Sequence, residues 1–498
     1  MVTNAAPAGV RMGTPAGRWV LLATISGSGM AMLDATVVNI ALPSIGRDFG
    51  ADFRTLQWIV NAYTLTLAAL ILLAGALGDR FGRRRVFVVG VVWFAVASLL
   101  CGLAPTAQVL VVARALQGIG GALLTPGSLA IISSSFAATD RARAVGAWSG
   151  LGGVAAAIGP FAGGYLVTLN WRAVFLVNLP IAVFTVVVAL RHVPESSDAL
   201  SPPGLDVSGA ALTAVGLAGL TYALTSLSDG GGGGGVVSFV AGAGGLAALV
   251  TFVLLERRSP HPLVPLSLFA SRRFSVTNAV TLLVYAALGV FFFLLVLQLQ
   301  IVAGFSALVA GTAMLPVTVL MLLLSARAGA LAERIGPRLP MTVGPLLAAI
   351  GLLLTLRIGR GASYLADVLP AVLVLGLGLS LTVAPLTATV LGAAAPRYAG
   401  TASGVNNAIA RAGGLLAVAV IPVAAGLGGA DYTDPLTFEA GFHTAMVLSA
   451  GLLALSSVLA AALLRDPHQV PTPAERILVE RCSHCGVAGP QLHPAQGR

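Results

Sequence analysis

The chain contains no lysine: all 28 of its basic residues are arginine. Charge of either sign is scarce, at 9% of 498 residues, where a soluble domain carries roughly 25%. A water-soluble globule of this length needs far more polar surface than that, so the composition excludes a soluble enzyme and a disordered scaffold. Three cysteines exclude the framework of a secreted disulfide protein. What remains is apolar, 57% by residue, and rich in glycine, alanine, leucine and valine. Such a chain is expected to be an all-α polytopic membrane protein.

Fourteen apolar runs are long enough to cross a bilayer. They cover about 19–42, 56–78, 86–104, 107–133, 144–168, 173–190, 207–227, 236–255, 275–302, 308–331, 340–357, 367–391, 400–425 and 441–464. The first is too long for a cleaved signal and reads as a retained span. An even count puts both termini on one side. Twenty-one arginines then lie in segments on the terminal side, five in the opposite loops and two within spans. The positive-inside rule makes the terminal side cytoplasmic. It also explains the net charge of +10 without nucleic acid.

The sequence repeats itself. Gly75 to Arg84 (GALGDRFGRR) returns as Gly329 to Arg338 (GALAERIGPR), 254 residues later. The same offset carries Arg143 to Arg397, Gly146 to Gly400, Gly150 to Gly404 and Gly159 to Gly413. Both copies of the loop fall on one side, so the repeat is parallel about an axis normal to the membrane. The reading is a six-span bundle over 19–190 and a second over 275–464. A linker over 191–274 carries two extra spans, turned by the Gly230–Gly235 run. Segments 1–18 and 465–498 are cytoplasmic.

Asp34 is the one carboxylate deep within a span. It sits nine residues before Pro43, roughly 10–13 Å below the outer surface. Arg114 enters span 4 from the same side and reaches a depth of roughly 10 Å. Buried charges in a bilayer pair or face a cavity, so Asp34 and Arg114 are expected to interact. A carboxylate so placed can take up and release a proton as burial and a nearby cation compete. A permanent ion pair that only fixes helix packing is the alternative.

Polar residues at helical spacing mark further cavity candidates: Asn61 on span 2, Gln117 on span 4, and Asn407 and Arg411 on span 13. Tyr285 offers a ring for an aromatic ligand. Small residues along span 5, with Gly159-Pro160 beside Gly163 and Gly164, permit close helix contact and a bend. Asp79, Arg80, Arg83 and Arg84 form a charged loop repeated as Glu333, Arg334 and Arg338, which suits a cytoplasmic latch. Cys482 and Cys485 in the tail make a lone CxxC with His484 and His493 nearby, too little to define a zinc site. No metal or cofactor is expected.

Taken together these residues resemble the major facilitator superfamily, and within it the fourteen-span drug:proton antiporters. Leu33 to Pro43 is similar to that family's first-span motif, Gly75 to Arg85 to its cytoplasmic-loop motif, and Gly159 to Gly164 to its antiporter motif. Arg114, Gln117, Gly118 and Gly121 match the fourth-span motif, and Trp171 to Pro180 is also family-like. The resemblance implies the major facilitator fold and proton-coupled antiport from the plasma membrane, with Asp34 and Arg114 coupling the proton. Some relatives carry a second membrane acid in the later half. Here spans 9 to 14 have none and carry Arg411 instead, which disfavours dications and favours neutral, zwitterionic or anionic aromatic compounds. The expected partners are a small hydrophobic substrate, protons and the lipid bilayer, for a functional monomer that is not an enzyme. Proton-coupled import of a metabolite, and a receptor or membrane enzyme without a transport cycle, are the competing readings.

Overall fold

The computed structural model describes residues 10–197, 205–226, 235–259, 262–394, 398–428 and 433–465. The Cys482–Cys485 tail, Arg397 and most of the Gly230–Gly235 run lie outside them. The described residues form α1 (Pro15–Phe49), α2 (Phe53–Phe81), α3 (Arg83–Gly102), α4 (Ala107–Ser135), α5 (Ala138–Leu169), α6 (Ala173–Leu176) and α7 (Asn178–His192). The inserted pair is α8 (Val207–Thr225) and α9 (Gly235–Glu256). There follow α10 (Arg272–Leu297), α11 (Ala307–Thr312), α12 (Leu315–Ile335), α13 (Arg338–Leu354), α14 (Leu369–Gly392), α15 (Ala399–Ala424) and α16 (Pro435–Leu463).

Thirteen of these segments are long and apolar enough to cross a membrane, α6–α7 and α11–α12 each counting as one. The remaining expected span falls in α5, a continuous helix of 32 residues whose apolar stretch, Ile158–Leu169, is shorter. Charged Asp140, Arg141 and Arg143 and a run of glycines dilute its first half.

Inside a bilayer every backbone amide must be satisfied within the chain, which leaves helices as the building unit here. Some of the scarce polar side chains cap helix starts. Asp52, Thr106, Asp206, Ser271 and Asp434 each accept from an amide of the first turn. The 254-residue repeat has a backbone counterpart. Gly50 (φ 57°) and Gly304 (φ 73°), and Gly82 (φ 106°) and Gly336 (φ 87°), occupy equivalent positions in the left-handed region that glycine alone enters without strain. The fold is therefore two pseudo-symmetric helical halves with two inserted helices.

The halves meet along two seams. On one, Gln57 of α2 donates from Nε2 to the Val418 carbonyl of α15 at 2.7 Å. Leu65 and Ala68 of α2, Leu415 of α15 and Leu217 of α8 pack there as one cluster. On the other, α5 lies against α11. A Cβ on Gly164 would stand 2.7 Å from the Leu308 Cα, and one on Gly311 would strike the Pro160 carbonyl. Near the end opposite the arginine-rich loops, Gln300 Nε2 donates to the Ile40 carbonyl (3.0 Å) and the Phe53 and Phe293 rings meet edge to face at 5.6 Å. α9 turns Val236, Phe239 and Val240 outward, as a lipid-facing helix does.

Gly164→Leu should force this second seam apart and cost about 1–3 kcal/mol, the usual scale of overpacking. Gly146→Leu, on the same helix with nothing within 4 Å of a new Cβ, should be neutral. Thermal unfolding of the two purified variants in detergent measures the difference.

Candidate functional site

Asp34 is fully buried in α1. α4 delivers Arg114 and Gln117 on the same side of one helical turn, three residues apart. Arg114 Nη1 donates to Asp34 Oδ2 at 2.5 Å and to Gln117 Oε1 at 2.6 Å, and its Nε donates to the Ile59 carbonyl of α2 at 3.1 Å. Gln117 Nε2 donates to Asp34 Oδ1 (2.8 Å) and to Ser98 Oγ of α3 (2.8 Å). Asn178, at the start of α7, donates from Nδ2 to Asp34 Oδ1 (3.2 Å) and Ser98 Oγ (3.3 Å). The guanidinium carbon lies 4.3 Å from the Tyr63 ring centroid and 5.9 Å from that of Phe175.

Five helices of the first half thus converge on one ion pair. Breaking such a pair from one side is far costlier than removing both charges, because an uncompensated charge is left behind. Arg114, Gln117 and Asn178 all donate to the Asp34 carboxylate. One acceptor is left over: Asn178 Oδ1 is buried and has no hydrogen-bond partner.

The side of α1 turned away from this pair lines a cavity of about 960 Å³ between the two halves. Ala35, Thr36 and Asn39 form its α1 wall, and Phe292, Met314, Thr318, Met321 and Ser325 part of the opposite wall. It reaches Leu391, at the C-terminal end of α14. The walls are mainly apolar with a few hydroxyls and one amide, the usual make-up of a small-molecule pocket. Asn39 Oδ1 has no partner.

The expected candidates separate into groups. Asp34, Arg114 and Gln117 come together. Asn61 is 1% exposed, with Nδ2 unpartnered. Tyr285, Asn407 and Arg411 are half-buried on α10 and α15, outside the cavity's lining. In the span-5 motif, Gly159 and Gly163 pack on Thr36 and Val37 of α1, while Pro160 lines the cavity and Gly164 meets α11.

In the charged loop, Arg83 pairs with Asp79 at 2.7 Å. Glu195, which follows α7, holds the loop's backbone. It accepts from the Arg84 and Arg85 amides at 3.0 and 3.2 Å, and Arg84 Nη1 donates to the Val193 carbonyl at 3.1 Å. In the repeat of this loop Arg338 Nε donates to the Ala461 carbonyl at 2.8 Å. Glu333 and Arg334 close α12. No group of three or more metal-ligating side chains occurs among the described residues.

Ser98, Asn178, Glu195 and the cavity residues of α12 were not singled out from the sequence. Asn178 falls within the Trp171–Pro180 segment, so a motif did pass through it. The helices that place it beside Asp34 are 144 residues apart in the chain.

Two repeated halves that meet on a cavity can expose it to one side and then the other by rocking, and that construction defines a secondary carrier. The family model of the Major Facilitator Superfamily matches residues 24–418, and the chain belongs to that family. It is a multi-pass membrane protein. It is 37% identical over 411 residues to the puromycin resistance protein pur8 of Streptomyces alboniger, covering 81% of this chain and 80% of that one. It is 37% identical over 430 residues to a probable actinorhodin transporter of Streptomyces coelicolor (83% and 74% covered). It is 35% identical over 405 residues to the multidrug resistance protein Stp of Mycobacterium tuberculosis (80% and 74%). Among solved structures, a bacterial homolog of the human lysosomal transporter Spinster superposes with a TM-score of 0.63 at 18% identity, covering 90% of this chain and 97% of that chain.

Arg114→Met strands the Asp34 carboxylate and should cost about 3–5 kcal/mol. Asp34→Asn should cost less, because Arg114 keeps Gln117, the Ile59 carbonyl and two rings. The double variant should recover most of the Arg114→Met loss. Denaturant unfolding of the three proteins in micelles gives the coupling; additive losses would show that the two charges do not depend on one another.

Proposed function

We infer that the protein exports hydrophobic, antibiotic-like compounds across the plasma membrane in exchange for protons, by alternating access. The observation that carries this reading is the arrangement of α1. One face holds the buried Asp34 cluster and the other forms a wall of the cavity. A change in how tightly α1 is bound to α4 and α7 is felt directly at the cavity.

Protonation of Asp34 removes the charge that Arg114 neutralises and creates an O–H that needs an acceptor. Asn178 Oδ1 is the unused acceptor at hand; turning its amide over presents it. Arg114 retains Gln117, the Ile59 carbonyl and the Tyr63 face, so its guanidinium keeps hydrogen bonds while losing its counter-charge, and that loss is what destabilises the arrangement seen here. Proton entry then favours the state that opens inward, and proton loss the state that opens outward with substrate aboard. One proton moving through ~100 mV contributes about 2.3 kcal/mol.

The arginine bias of the loops supports cytoplasmic termini, and with them a cavity that opens inward here while Gln57–Val418, Gln300–Ile40 and Phe53–Phe293 close the outer end. The charged loop acts as the cytoplasmic latch, with Glu195 bracing its first copy. The two bundles, 19–190 and 275–464, form the moving halves of a monomer. That the relatives are resistance and transport proteins supports drug export over import.

In liposomes, wild-type protein should accumulate substrate against its gradient when ΔpH is imposed, with protons moving the opposite way, and Asp34→Asn should lose this while remaining folded. Accumulation that persists in Asp34→Asn would rule out Asp34 as the coupling acid. In an efflux-deficient host, expression should raise the inhibitory concentration of some members of a chemically diverse antibiotic panel. A panel with no shifts would remove the export reading.

A further inference from the structure

Arg411 lies midway along α15, thirteen residues into a helix of 26. Unlike Arg114, it has no hydrogen-bond or ion-pair partner among the described residues. An arginine at that depth is costly unless it faces a cavity or a counter-charge. The described acids of this half, Glu333, Asp367, Asp434 and Glu439, all stand at helix ends. Asp34, the deep acid of the other half, is taken up by Arg114, Gln117 and Asn178.

The surroundings of Arg411 follow from helix register. Gln57 bonds Val418, and a Cβ on Gly404 would meet Leu72 at 2.8 Å. Fifteen residues along α2 therefore run against fourteen back along α15. Asn61 and Thr64 fall opposite Gly414 and Arg411. Asn61 brings a buried Nδ2 that donates to nothing. From the third side, α10 crosses α15 closely: Gly414 lies 3.5 Å, measured from an ideal Cβ, from the Tyr285 carbonyl, and Asn406 Nδ2 donates to Asn278 Oδ1 and Thr281 Oγ1 at 3.0 and 2.8 Å. Arg411 is within electrostatic reach of Tyr63 and Tyr285. Tyr285 and Phe292 are seven residues apart and so share a face of α10, and Phe292 lines the cavity.

This corner offers a cation and a buried unsatisfied donor and no negative charge to meet them. Buried donors without acceptors are rare unless something else binds them. We propose that the corner of α2, α10 and α15 around Arg411 is the anion subsite of the transport site, taking the carboxylate, sulfonate or phenolate of an aromatic compound whose rings lie against Tyr285 and Phe292. The assignment rests on the export reading and gives it a substrate class.

Two xanthene dyes of similar frame and opposite charge, fluorescein and rhodamine 123, test it by fluorescence polarisation on purified full-length protein in nanodiscs. Wild-type protein should hold fluorescein the tighter of the two. Arg411→Gln should weaken fluorescein by about tenfold or more, the scale of a hydrogen bond to a charged group, and leave rhodamine 123 within about twofold. Arg411→Lys should restore much of the loss. Because Arg411 has no partner to strand, Arg411→Gln should keep the wild-type melting temperature, which separates a lost ligand contact from misfolding. A wild-type protein with no preference for fluorescein, or an Arg411→Gln variant that binds it undiminished, overturns the subsite. Proton-driven dye transport measured in parallel liposomes reports on the export reading alone. Arginine-dependent dye binding without ΔpH-driven transport would retire export and keep the subsite.

Discussion

A charge in hydrocarbon must be neutralised or hydrated, and much of this structure follows from how one carboxylate meets that demand. Asp34 takes three donors from two helices, and its partner Arg114 is itself tied to a third helix through the Ile59 carbonyl and to two aromatic faces. The ion pair therefore sets the spacing of α1, α2, α4 and α7. Hydrogen bonds between membrane helices are individually modest, about 0.6 kcal/mol on average; what makes this group consequential is that its members share one buried charge. Losing or gaining a single proton rewrites the needs of all of them together.

That dependence links the polar cluster to the cavity through geometry alone. α1 is a single helix with Asp34 on one side and Thr36 and Asn39 on the other. Gly159 and Gly163 let α5 press against the same stretch of α1, while Gly164 meets the second half. The small residues of α5 thus carry α1's position to the seam.

Much of this was legible in the sequence. The scarcity of charge gave the class, and similar depths of Asp34 and Arg114 their pairing. The 254-residue repeat reappears in the paired left-handed glycines. Other features were hidden for identifiable reasons. Ser98 and Asn178 are unremarkable in apolar helices until three-dimensional packing turns them on Asp34. Polar residues at helical spacing reveal a stripe but not its neighbour, so Asn61 and Gln117 look alike in sequence, yet only Gln117 joins the ion pair. Glu195 lies in a loop, 111 residues from the amide it holds. Half of the cavity's α12 wall is Val317, Met321 and Leu322, side chains indistinguishable in sequence from a lipid-facing surface. α5 falls short of the apolar length that marks a span because its job is contact with other helices, for which glycine serves better than leucine.

The inserted helix α8 touches both halves at once, through Leu65 and Ala68 on one side of the seam and Leu415 on the other. Arg54 adds a tie at its end, donating to Ser226 at 3.0 Å and lying over the Tyr222 ring. A greasy molecule already dissolved in the membrane and drifting toward this flank meets a helix instead of a gap. On this flank the inserted helix covers the seam between α2 and α15, so a route from the lipid to the cavity there would have to displace α8.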